Sequence, residues 1–423
     1  MTAVRRSLPE WLAFQQRLHP RSIELGLERV RAVAQRLGLL PFGGRVVIVG
    51  GTNGKGSTAT TLASLLTATG HKSGLFTSPH LLRYHERIRV DGRTPRDAEL
   101  VAAFEQIEAV RDGQSLTFFE YNTLAALLWF REQGVDCTVL EVGLGGRLDA
   151  TNIVDADVAI LCSVAFDHTE WLGTTLEQIG REKAGIFRPG RAVVLATGEM
   201  PASVYEVARQ LECPLQVAGR DFDWQLSADG SWTFIDQFGA VSLPAPALPG
   251  AIQYRNTAAA LAALRLLPGL SAVDAVRLSA GLKAVHLPGR LQRIPGRVEW
   301  LLDVAHNEAA AVQLVEALSD LPAVCRTVAV CGMLEDKDVA GVMARMAPHI
   351  DHWILCTIAE ARGLSAVELQ RRAGGHPQGT IELADDIEQG CRRAAALTTR
   401  GDRIVVFGSF HAVGPALQWL GLY

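Results

Sequence analysis

The sequence predicts an α/β protein with two domains, the first a larger phosphate-loop domain with a mostly parallel sheet. Apolar runs alternate with helical periodicity in both halves of the 423-residue chain, as in α/β folds. A glycine-rich loop with a lysine follows the first such run, and Pro, Gly and Arg are frequent in residues 286–297. We therefore expect an N-terminal domain at 1–287, a linker at 288–297 and a smaller α/β domain at 298–423.

The first domain contains five apolar runs that predict strands and three segments that predict helices between them. The strands are expected at 45–49, 74–77, 137–142, 157–164 and 192–197, and the helices at 57–69, 98–110 and 121–133. Near-continuous apolar strands separated by helices are typical of a parallel sheet covered on both faces. Residues 214–245 differ, because their short polar and aromatic pieces predict antiparallel hairpins.

The second domain repeats the alternation on a smaller scale. Apolar runs predict strands at 298–304, 326–333, 352–358, 379–384 and 403–409, each pair joined by a helix-like segment. A length of about 130 residues is ordinary for one domain.

The composition argues against several classes of function. A formal net charge of −4 gives no broad attraction to nucleic acid or to an anionic membrane, and the apolar runs are too short to span a bilayer. No secretory signal is visible, and the seven scattered cysteines form no C-x-x-C pair. We expect buried free thiols in a reducing, cytoplasmic compartment and neither a metal–thiolate site nor a disulfide framework.

Residues 48–62, IVGGTNGKGSTATTL, place a glycine-rich turn between a buried strand and a helix. Such a turn presents backbone N–H groups to phosphate. The usual pattern is G-x-x-x-x-G-K-[ST], whereas here Gly56 separates Lys55 from Ser57 and Val49 stands at the first glycine position. In this variant loop we expect Lys55 to reach the β- and γ-phosphates and Ser57 to open the helix. The alternative is a glycine-rich turn without a ligand.

Three other strands of the first domain end in polar residues suited to a hard cation. Ser78 follows the second strand, Glu141 ends the third, and His168 follows the fourth. Because ligands bind beyond the carboxyl ends of parallel strands, we expect these side chains at the edge that carries the phosphate loop. With nucleotide phosphates they would suit Mg²⁺. Taken singly, the alternatives are a turn residue, a paired buried acid and a helix cap.

The segment 173–187, GTTLEQIGREKAGIF, predicts a helix that carries Lys183 about two turns from its start. Thr174 and Glu177 have capping-box spacing there. Lys183 follows His168 by fifteen residues, within reach of the same edge. Its amine could add CO₂ there and become a metal-binding carbamate; a solvated lysine on an exposed helix face is the ordinary alternative.

Several long motifs, in a fixed order, resemble those of the folylpolyglutamate synthase family, which is related to the Mur cell-wall ligases. The first domain has GTNGKGS, TSPHLLRYHERIRVDG, EVGLGGRLDATN, DHTEWLG and REKAGIF, and the second has DVAHN, GMLEDKD and FGSFH. The resemblance covers essentially the whole chain. It implies an N-terminal Mur-ligase-like ATPase domain, a C-terminal Rossmann-like glutamate-ligase domain and a cleft between them.

The resemblance also implies an ATP-dependent carbon–nitrogen ligase. ATP would phosphorylate a substrate carboxylate, and the amine of L-glutamate would attack the acyl phosphate and release phosphate. The protein would contribute mainly positioning and charge neutralisation. ATP is implied as a substrate, two Mg²⁺ ions as cofactors and K⁺ as a further candidate cation, and we expect a monomer.

Carried over residue by residue, the resemblance implies roles for side chains of both domains. ATP contacts fall on Asn53, Gly54, Lys55, Gly56, Ser57, Asn256, Arg290, Asp303 and His306. Metal ligands fall on Ser57, Ser78, Glu141, His168 and, as the carbamate, Lys183. Catalytic roles fall on Lys55, His168, Lys183 and Arg290. A fixed guanidinium at position 290 would stabilise the transferring phosphoryl group; a solvated linker arginine is the alternative.

Other stretches resemble the bacterial bifunctional members of the family, which accept dihydropteroate as well as reduced folates. The implied substrate residues are Ser22, Ile23, Glu24, Leu25, Thr117, Phe118, Phe119, Glu120, Leu148, Asp149 and Ala150. Phe118 and Phe119 would stack on a pterin or aminobenzoate ring, and Asp149 would accept hydrogen bonds from pterin N–H groups. The alternative is that both phenylalanines are core residues and Asp149 caps a turn.

Two rival functions remain open. A Mur enzyme would join an amino acid to a UDP-sugar peptide, but it normally has a separate N-terminal UDP-binding domain, and here the phosphate loop begins by residue 50. A nucleotide-gated switch or motor ATPase would turn over ATP without a carboxylate and an amine.

Overall fold

The computed structural model describes residues 6–21, 23–272, 274–377 and 379–423. These residues form two α/β domains, which are joined by the segment between Lys283 and Gln292. Ser22, one of the predicted substrate residues, lies outside the described residues.

In the described part of the chain, the strands form three sheets. The first sheet contains β1 (Arg45–Gly50), β2 (Ser73–Phe76), β3 (Ile88–Val90), β4 (Cys137–Glu141), β5 (Val158–Leu161), β6 (Ala192–Leu195) and β7 (Leu215–Val217). A small antiparallel sheet contains β8 (Phe222–Leu226), β9 (Trp232–Asp236) and β10 (Gly239–Leu243). The third sheet contains β11 (Gln292–Ile294), β12 (Glu299–Leu302), β13 (Thr327–Cys331), β14 (His352–Cys356), β15 (Thr380–Ala384) and β16 (Arg403–Phe407).

Helices cover both large sheets. The first domain has α1 (Leu8–Leu18), α2 (Glu28–Arg36), α3 (Lys55–Ala68), α4 (Asp97–Val110), α5 (Phe118–Gln133), α6 (Thr169–Leu172), α7 (Leu176–Ala184), α8 (Ala202–Gln210), α9 (Ile252–Leu266) and α10 (Ala275–Lys283). The second has α11 (Glu308–Asp320), α12 (Val339–Met346), α13 (Ala366–Ala373), α14 (Ile387–Leu397) and α15 (Phe410–Trp419). Short 3₁₀ turns lie at Tyr84–Arg87, Ala150–Ile153 and Ala347–His349.

The order of strands in the first sheet is β3-β2-β4-β1-β5-β6-β7, and every neighbouring pair is parallel except β2 with β3. Val49 near the end of β1 is level with Glu141 on β4 and with Ile160 on β5. The carboxyl ends of β2, β4, β1 and β5 therefore lie side by side. The prediction of an α/β fold with mostly parallel sheets is confirmed.

Apolar clusters lie on both faces of this sheet. One contains Ile48 and Leu140 and packs against α5, whereas the other contains Val47 and Val139 and packs against α3 and α9. Because α3 is covered by α9, α10 and the sheet, its residues from Gly56 to Ala63 are buried. The phosphate loop is thus attached to a buried central helix.

The structure corrects three details of the sequence-based expectations. Residues 215–217 form β7, which extends the parallel sheet, so the antiparallel part begins later than expected at β8. The expected linker includes β11, which pairs antiparallel with β12 at the edge of the second-domain sheet. The capping box of α7 uses Thr175 and Gln178, not Thr174 and Glu177, because the Glu177 carboxylate accepts the N–H groups of Ala202 and Ser203 at the start of α8.

Among the described residues, no helix is long and apolar enough to cross a membrane. All seven cysteines are free thiols. The expectation that they are buried holds for five, whereas Cys213 is half-buried and Cys325 is exposed.

Candidate functional site

The carboxyl edge of the first sheet opens into a cleft that both domains line, with a volume of about 410 Å³. The first domain contributes residues 51–57 and the strand ends at Ser78 and Glu141, and the second contributes residues 303–306 and Phe410. We call this space the interdomain cleft. The predicted nucleotide and metal residues from both domains all line it: Asn53, Gly54, Lys55, Gly56, Ser57, Ser78, Glu141, His168, Lys183, Asn256, Arg290, Asp303 and His306.

Glycine and threonine fix the shape of the phosphate loop. Gly51 has a φ of +141° and Gly54 a φ of +89°, conformations that favour glycine. The Thr52 hydroxyl donates to the Ala165 carbonyl at 3.1 Å and accepts the Ala165 N–H at 3.0 Å, which ties the loop to the chain beyond β5. The fixed loop leaves the N-terminus of α3 open to the cleft, an arrangement that favours phosphate.

Lys55 is folded over its own loop. Its ammonium donates hydrogen bonds of 3.0 Å to the carbonyl oxygens of Gly51 and Thr52. The cation is therefore held at the mouth of the loop, next to where the helix N-terminus would receive a phosphate.

The predicted meeting of strand ends is observed for Ser78 and Glu141. The Ser78 N–H donates to a Glu141 carboxylate oxygen at 3.0 Å. A Cβ on Gly56 would lie 3.5 Å from both carboxylate oxygens and 3.6 Å from the Arg290 guanidinium, so both charges lie against the loop. Burial raises the pKa of Glu141 against the attraction of nearby cationic groups.

The donor set at this point fits a hard divalent cation. The buried Glu141 carboxylate and the hydroxyls of Ser57 and Ser78 are oxygen ligands of the kind that Mg²⁺ prefers. Within the described ranges, no group of three or more His, Cys, Asp or Glu side chains could hold a metal alone. Phosphate oxygens and water would have to complete the coordination shell.

Lys183 on α7 is buried at the base of the phosphate loop, with 4% of its surface exposed. Its ammonium donates to the Gly51 carbonyl at 3.0 Å. Burial, and next the neighbouring charge of Lys55, lowers the pKa of Lys183 to about 7. The alternative of a solvated surface lysine is therefore wrong, and the amine is positioned in the cleft.

His168 reaches the same cleft but contacts the second domain. It has a φ of +50° at the start of α6. Its Nε2 lies 3.1 Å from the Lys337 ammonium and its Nδ1 lies 3.5 Å from Asp336. Burial lowers the pKa of His168 to about 4, so the ring is neutral at pH 7. For His168 to bind a metal through Nε2, the ion would have to displace the Lys337 ammonium from that nitrogen.

Asp167 is the centre of the contact between the domains. It accepts a hydrogen bond of 2.8 Å from Lys337 and one of 3.1 Å from Asn307, and it lies 3.6 Å from His306. Burial alone would raise the pKa of Asp167, but His306, His168 and Lys337 outweigh it and hold the pKa well below its ordinary value. Asn307 and Asn53 also exchange hydrogen bonds of 3.0 and 3.1 Å.

Arg290 and Asp303 flank the second-domain side of the cleft. The Arg290 guanidinium lies 5.0 Å from the centre of the Phe410 ring, and burial lowers its pKa. Asp303 accepts the N–H groups of Leu291 and Ala305 at 2.8 Å each. The carboxylate thus ties the segment that carries Arg290 to the chain beyond β12.

Asn256 on α9 has a free acceptor beside the loop. Its Nδ2 donates to Gln253 at 3.1 Å, but among the described residues nothing donates to its buried Oδ1. That oxygen lies 2.8 Å from the position of a Cβ on Gly54. A ligand with an amino group would satisfy it.

A second cavity, of about 320 Å³, shares a wall with the interdomain cleft. We call it the aromatic cavity. All the predicted substrate residues that the structure describes line it: Ile23, Glu24, Leu25, Thr117, Phe118, Phe119, Glu120, Leu148, Asp149 and Ala150. Both cavities are lined by Ser78, Pro79, Gly143, Leu144, His168, His306 and Phe410.

Phe118 and Phe119 are half-buried, and each combines the packing expected of a core residue with a position in the proposed substrate cavity. Phe118 packs edge-on against Tyr84, and Phe119 contacts Phe76, but both also line the aromatic cavity. Asp149 is different: its oxygens accept hydrogen bonds from the N–H groups of Gly143, Leu144 and Thr151 and from the Thr151 hydroxyl. A carboxylate with four donors has little capacity left for a ligand, so the structure favours the turn-cap interpretation of Asp149.

The sequence-based prediction missed several charged and polar residues of the site. Lys337 and Asp336 lie within the GMLEDKD motif, and Asn307 lies within DVAHN, but no role was assigned to them. Arg29 pairs with Glu24 at 2.5 Å and Glu120 at 3.2 Å. Most of these contacts, such as those of Lys337 with Asp167 and of Arg29 with Glu120, join residues that are far apart in the chain.

Arg87 is another missed residue of the aromatic cavity. Its guanidinium lies 5.5 Å from the Phe118 ring centre and donates to His80 at 2.7 Å. Burial lowers the pKa of Arg87 to about 10. Within the described part of the chain, no carboxylate lies at ion-pair distance from it.

Comparison with known families and proteins gives consistent matches over both domains. Residues 49–264 match the Mur ligase middle domain, and residues 289–410 match the Mur ligase glutamate ligase domain. A dihydrofolate synthase/folylpolyglutamate synthase of Escherichia coli is 43% identical over 412 residues, which are 97% of this chain and 95% of the relative. The corresponding protein of Haemophilus influenzae is 39% identical, over 96% of each chain.

Solved structures of relatives match closely in fold. The Escherichia coli enzyme in complex with DHPP and ADP has a TM-score of 0.92 and 42% identity, with 98% of each chain covered. A bifunctional folylpolyglutamate synthase/dihydrofolate synthase with Mn, AMPPNP and L-glutamate bound has a TM-score of 0.90 and 41% identity, with 99% of this chain and 98% of that chain covered.

Proposed function

The chain belongs to the dihydrofolate synthase/folylpolyglutamate synthase family of Mur-type ligases and is an ATP-binding carbon–nitrogen ligase, and we propose its substrates and the roles of its residues. The proposed reactions join L-glutamate to dihydropteroate, giving dihydrofolate, and to reduced folates, giving polyglutamates. Solved relatives bind ADP or AMPPNP, DHPP and L-glutamate, which supports this assignment.

The observation that carries the proposal is the shared wall of the two cavities at Ser78 and His168. An aromatic acceptor in the aromatic cavity would extend its carboxylate towards the phosphate loop, where the γ-phosphate of ATP would lie. Arg87, a buried cation without a carboxylate partner in the described ranges, would attract the acid end of that acceptor. Positioning of two reactants in one site lowers the barrier to their reaction.

The residues of this chain then have separable roles in the proposed reaction. The amides of residues 54–57 and Lys55 hold the phosphates, and Asn256 accepts a hydrogen bond from the adenine amino group. Arg290 stabilises the charge on the transferring phosphoryl group. The acceptor carboxylate takes the γ-phosphoryl group of ATP, which gives an acyl phosphate and ADP. The neutral amine of L-glutamate then attacks the acyl carbon, the C–N bond forms, and the acyl C–O bond breaks as phosphate leaves and the nitrogen loses a proton.

A divalent cation is supported by the manganese-containing structures of relatives, and for this chain we propose Mg²⁺ in two sites. Ser57, Ser78, Glu141, His168 and a carbamylated Lys183 would hold the ions. When bound, they would neutralise phosphate charge and polarise the phosphoryl oxygens. Omission of K⁺ from the assay tests the further expectation of a monovalent cation.

The decisive experiment measures ADP formation with each substrate omitted in turn. We expect ADP only when ATP, a divalent cation, L-glutamate and either dihydropteroate or tetrahydrofolate are all present, with one amide bond formed per ADP. ADP released equally fast without an acceptor or L-glutamate would favour a switch or motor ATPase. Light scattering on the same sample tests the proposed monomeric state, which is consistent with a cleft built from one chain.

A further inference from the structure

A large cavity of about 970 Å³ lies outside the site discussed so far. It lies beside α3, β2 and α10, and we call it the α3 cavity. Ala63, Leu75 and Ala280 are among its apolar lining residues; its charged ones include Arg83 and Arg89 as well as Glu86, Asp91 and Asp97. Thr60 also lines it, and nothing among the described residues bonds the buried Thr60 hydroxyl.

A narrow passage of about 20 Å³ separates the α3 cavity from the interdomain cleft. Glu86 and Arg89 line both the passage and the α3 cavity. At its other end, the passage is lined by Gly56, Ser78 and Arg290, which also line the interdomain cleft. The volume is that of roughly one water molecule, so the two spaces are adjacent but closed to a larger solute.

The passage is lined by two carboxylates, Glu86 and Glu141, and by two guanidinium groups, Arg89 and Arg290. Within the described ranges, neither Arg83 nor Arg89 has a carboxylate at ion-pair distance, and Arg89 donates only to the His286 carbonyl, at 3.4 Å. The Glu86 carboxylate accepts the N–H groups of Leu81, Leu82 and Arg83, so its oxygens are directed towards backbone donors. Burial lowers the pKa of Arg89 and outweighs the attraction of Tyr423 and Glu86.

We propose that inorganic phosphate formed in the interdomain cleft leaves through the passage into the α3 cavity, where Arg89 receives it. The inference rests on the proposed function, in which each amide bond releases one phosphate next to Gly56, Ser78 and Arg290. ADP and the new amide product would then occupy the remainder of the interdomain cleft and the aromatic cavity. The passage lies beside Gly56, Ser78 and Arg290, where that phosphate would form.

The segment that joins the domains and the second domain form part of the wall of the passage. Leu287 and Pro288, in the segment that joins the domains, form one wall, and Phe410 of α15 contributes to another. A phosphate ion is larger than the present opening, so release requires this wall to move. Rotation of the second domain would move both elements, which couples phosphate release to opening of the interdomain cleft.

The test compares Arg89→Ala, Arg89→Lys and Arg96→Ala in the full-length enzyme. Acid quenching of a single turnover measures amide product, and a fluorescent phosphate sensor measures free phosphate in the same mixture. For Arg89→Ala, we expect product to form at the parent rate but free phosphate to appear about five- to tenfold later, the effect of losing one guanidinium–phosphate contact. Arg89→Lys keeps the charge and should show a smaller delay.

Arg96 is the matched control, because it lines the same cavity but is exposed and lies 3.4 Å from Glu99. Its alanine variant should release phosphate like the parent. If phosphate from Arg89→Ala appears together with product, the exit route is wrong although the ligase function stands. If the parent enzyme forms no quenched product at all, the proposed function itself fails.

Discussion

The ammonium of Lys183 lies 3.0 Å from the carbonyl oxygen of Gly51, at the start of the phosphate loop. Within the described ranges no carboxylate pairs with it, and burial, followed by the charge of Lys55, lowers its pKa to about 7. An amine with this pKa is largely uncharged just above neutral pH, the form that adds CO₂. The fold therefore places a reactive amine directly against the site of the phosphates.

Replacing Lys183 with alanine should abolish most activity, and acetate should restore part of it. We expect kcat to fall about 100-fold or more, since even outer partners of a metal ligand contribute about ten- to 100-fold. Acetate would supply the missing carboxylate in the space left by the side chain. ADP formation is measured against acetate concentration, with acetamide as the uncharged control. Equal effects of acetate and acetamide would leave the carbamate without support.

Burial of Lys183 should lower the free energy of unfolding by an amount that depends on pH. Its pKa is about 7 in the folded protein against an ordinary 10.5, so folding disfavours the protonated form. The destabilisation is complete below about pH 7 and disappears as the pH rises towards about 10.5. We expect Lys183→Met to be more stable than the parent at about pH 6, and the difference to shrink by about pH 9. Urea unfolding in CO₂-free, metal-free buffer measures it, and a pH-independent difference would contradict the assignment.

The position of the site followed from the sequence because it depends on local patterns. Apolar runs located β1, β2, β4 and β5, and once these strands are parallel, Ser78 and Glu141 must lie at the same edge as Gly54. The glycines themselves marked the loop. These features can be predicted from the direction of the strands and their order in the sheet.

The remaining features depend on contacts between distant segments. Two adjacent threonines offered two capping registers for α7, and the choice was made by Glu177, which caps α8 instead. Lys337 meets Asp167 from 170 residues away in the chain. Asp149 looked like a ligand group, but the turn that it closes uses all its acceptors. A single sequence does not contain these pairings.

Lys337 should compete with a divalent cation for His168. Its ammonium lies 3.1 Å from Nε2 of that histidine and 2.8 Å from Asp167. Removing this charge in Lys337→Met should tighten Mn²⁺ binding about fivefold without nucleotide, the effect of about 1 kcal/mol of repulsion. Turnover should fall, because the contact between domains is lost. Electron paramagnetic resonance of free Mn²⁺ measures affinity, with Lys337→Arg as the charge-conserving control; unchanged affinity would argue against His168 as a ligand.

Leu81 should stabilise the docking of the two domains against each other. It belongs to the first domain, three residues after Ser78, yet it is 9% exposed and packs in the second-domain cluster that contains Val304 and Val413. The Leu81 carbonyl lies so close to Gly414 of α15 that a Cβ at position 414 would clash with it. Only a glycine therefore allows α15 to approach the segment that carries Leu81 this closely. Leu81→Ala removes apolar contact between the domains. It removes no side chain from the sheet of either domain.

We therefore expect Leu81→Ala to weaken domain docking by about 2–4 kcal/mol, the usual cost of truncating a buried leucine. The ligase rate should fall and the KM for ATP should rise, because Arg290 and Asp303 would spend less time over the phosphate loop. Hydrogen exchange should increase in α15 and in residues 79–87, while β1 and α3 remain protected. The control is Gln418→Ala, an exposed position on the same helix. Unchanged exchange in α15 with normal kinetics would show that Leu81 contributes nothing to docking.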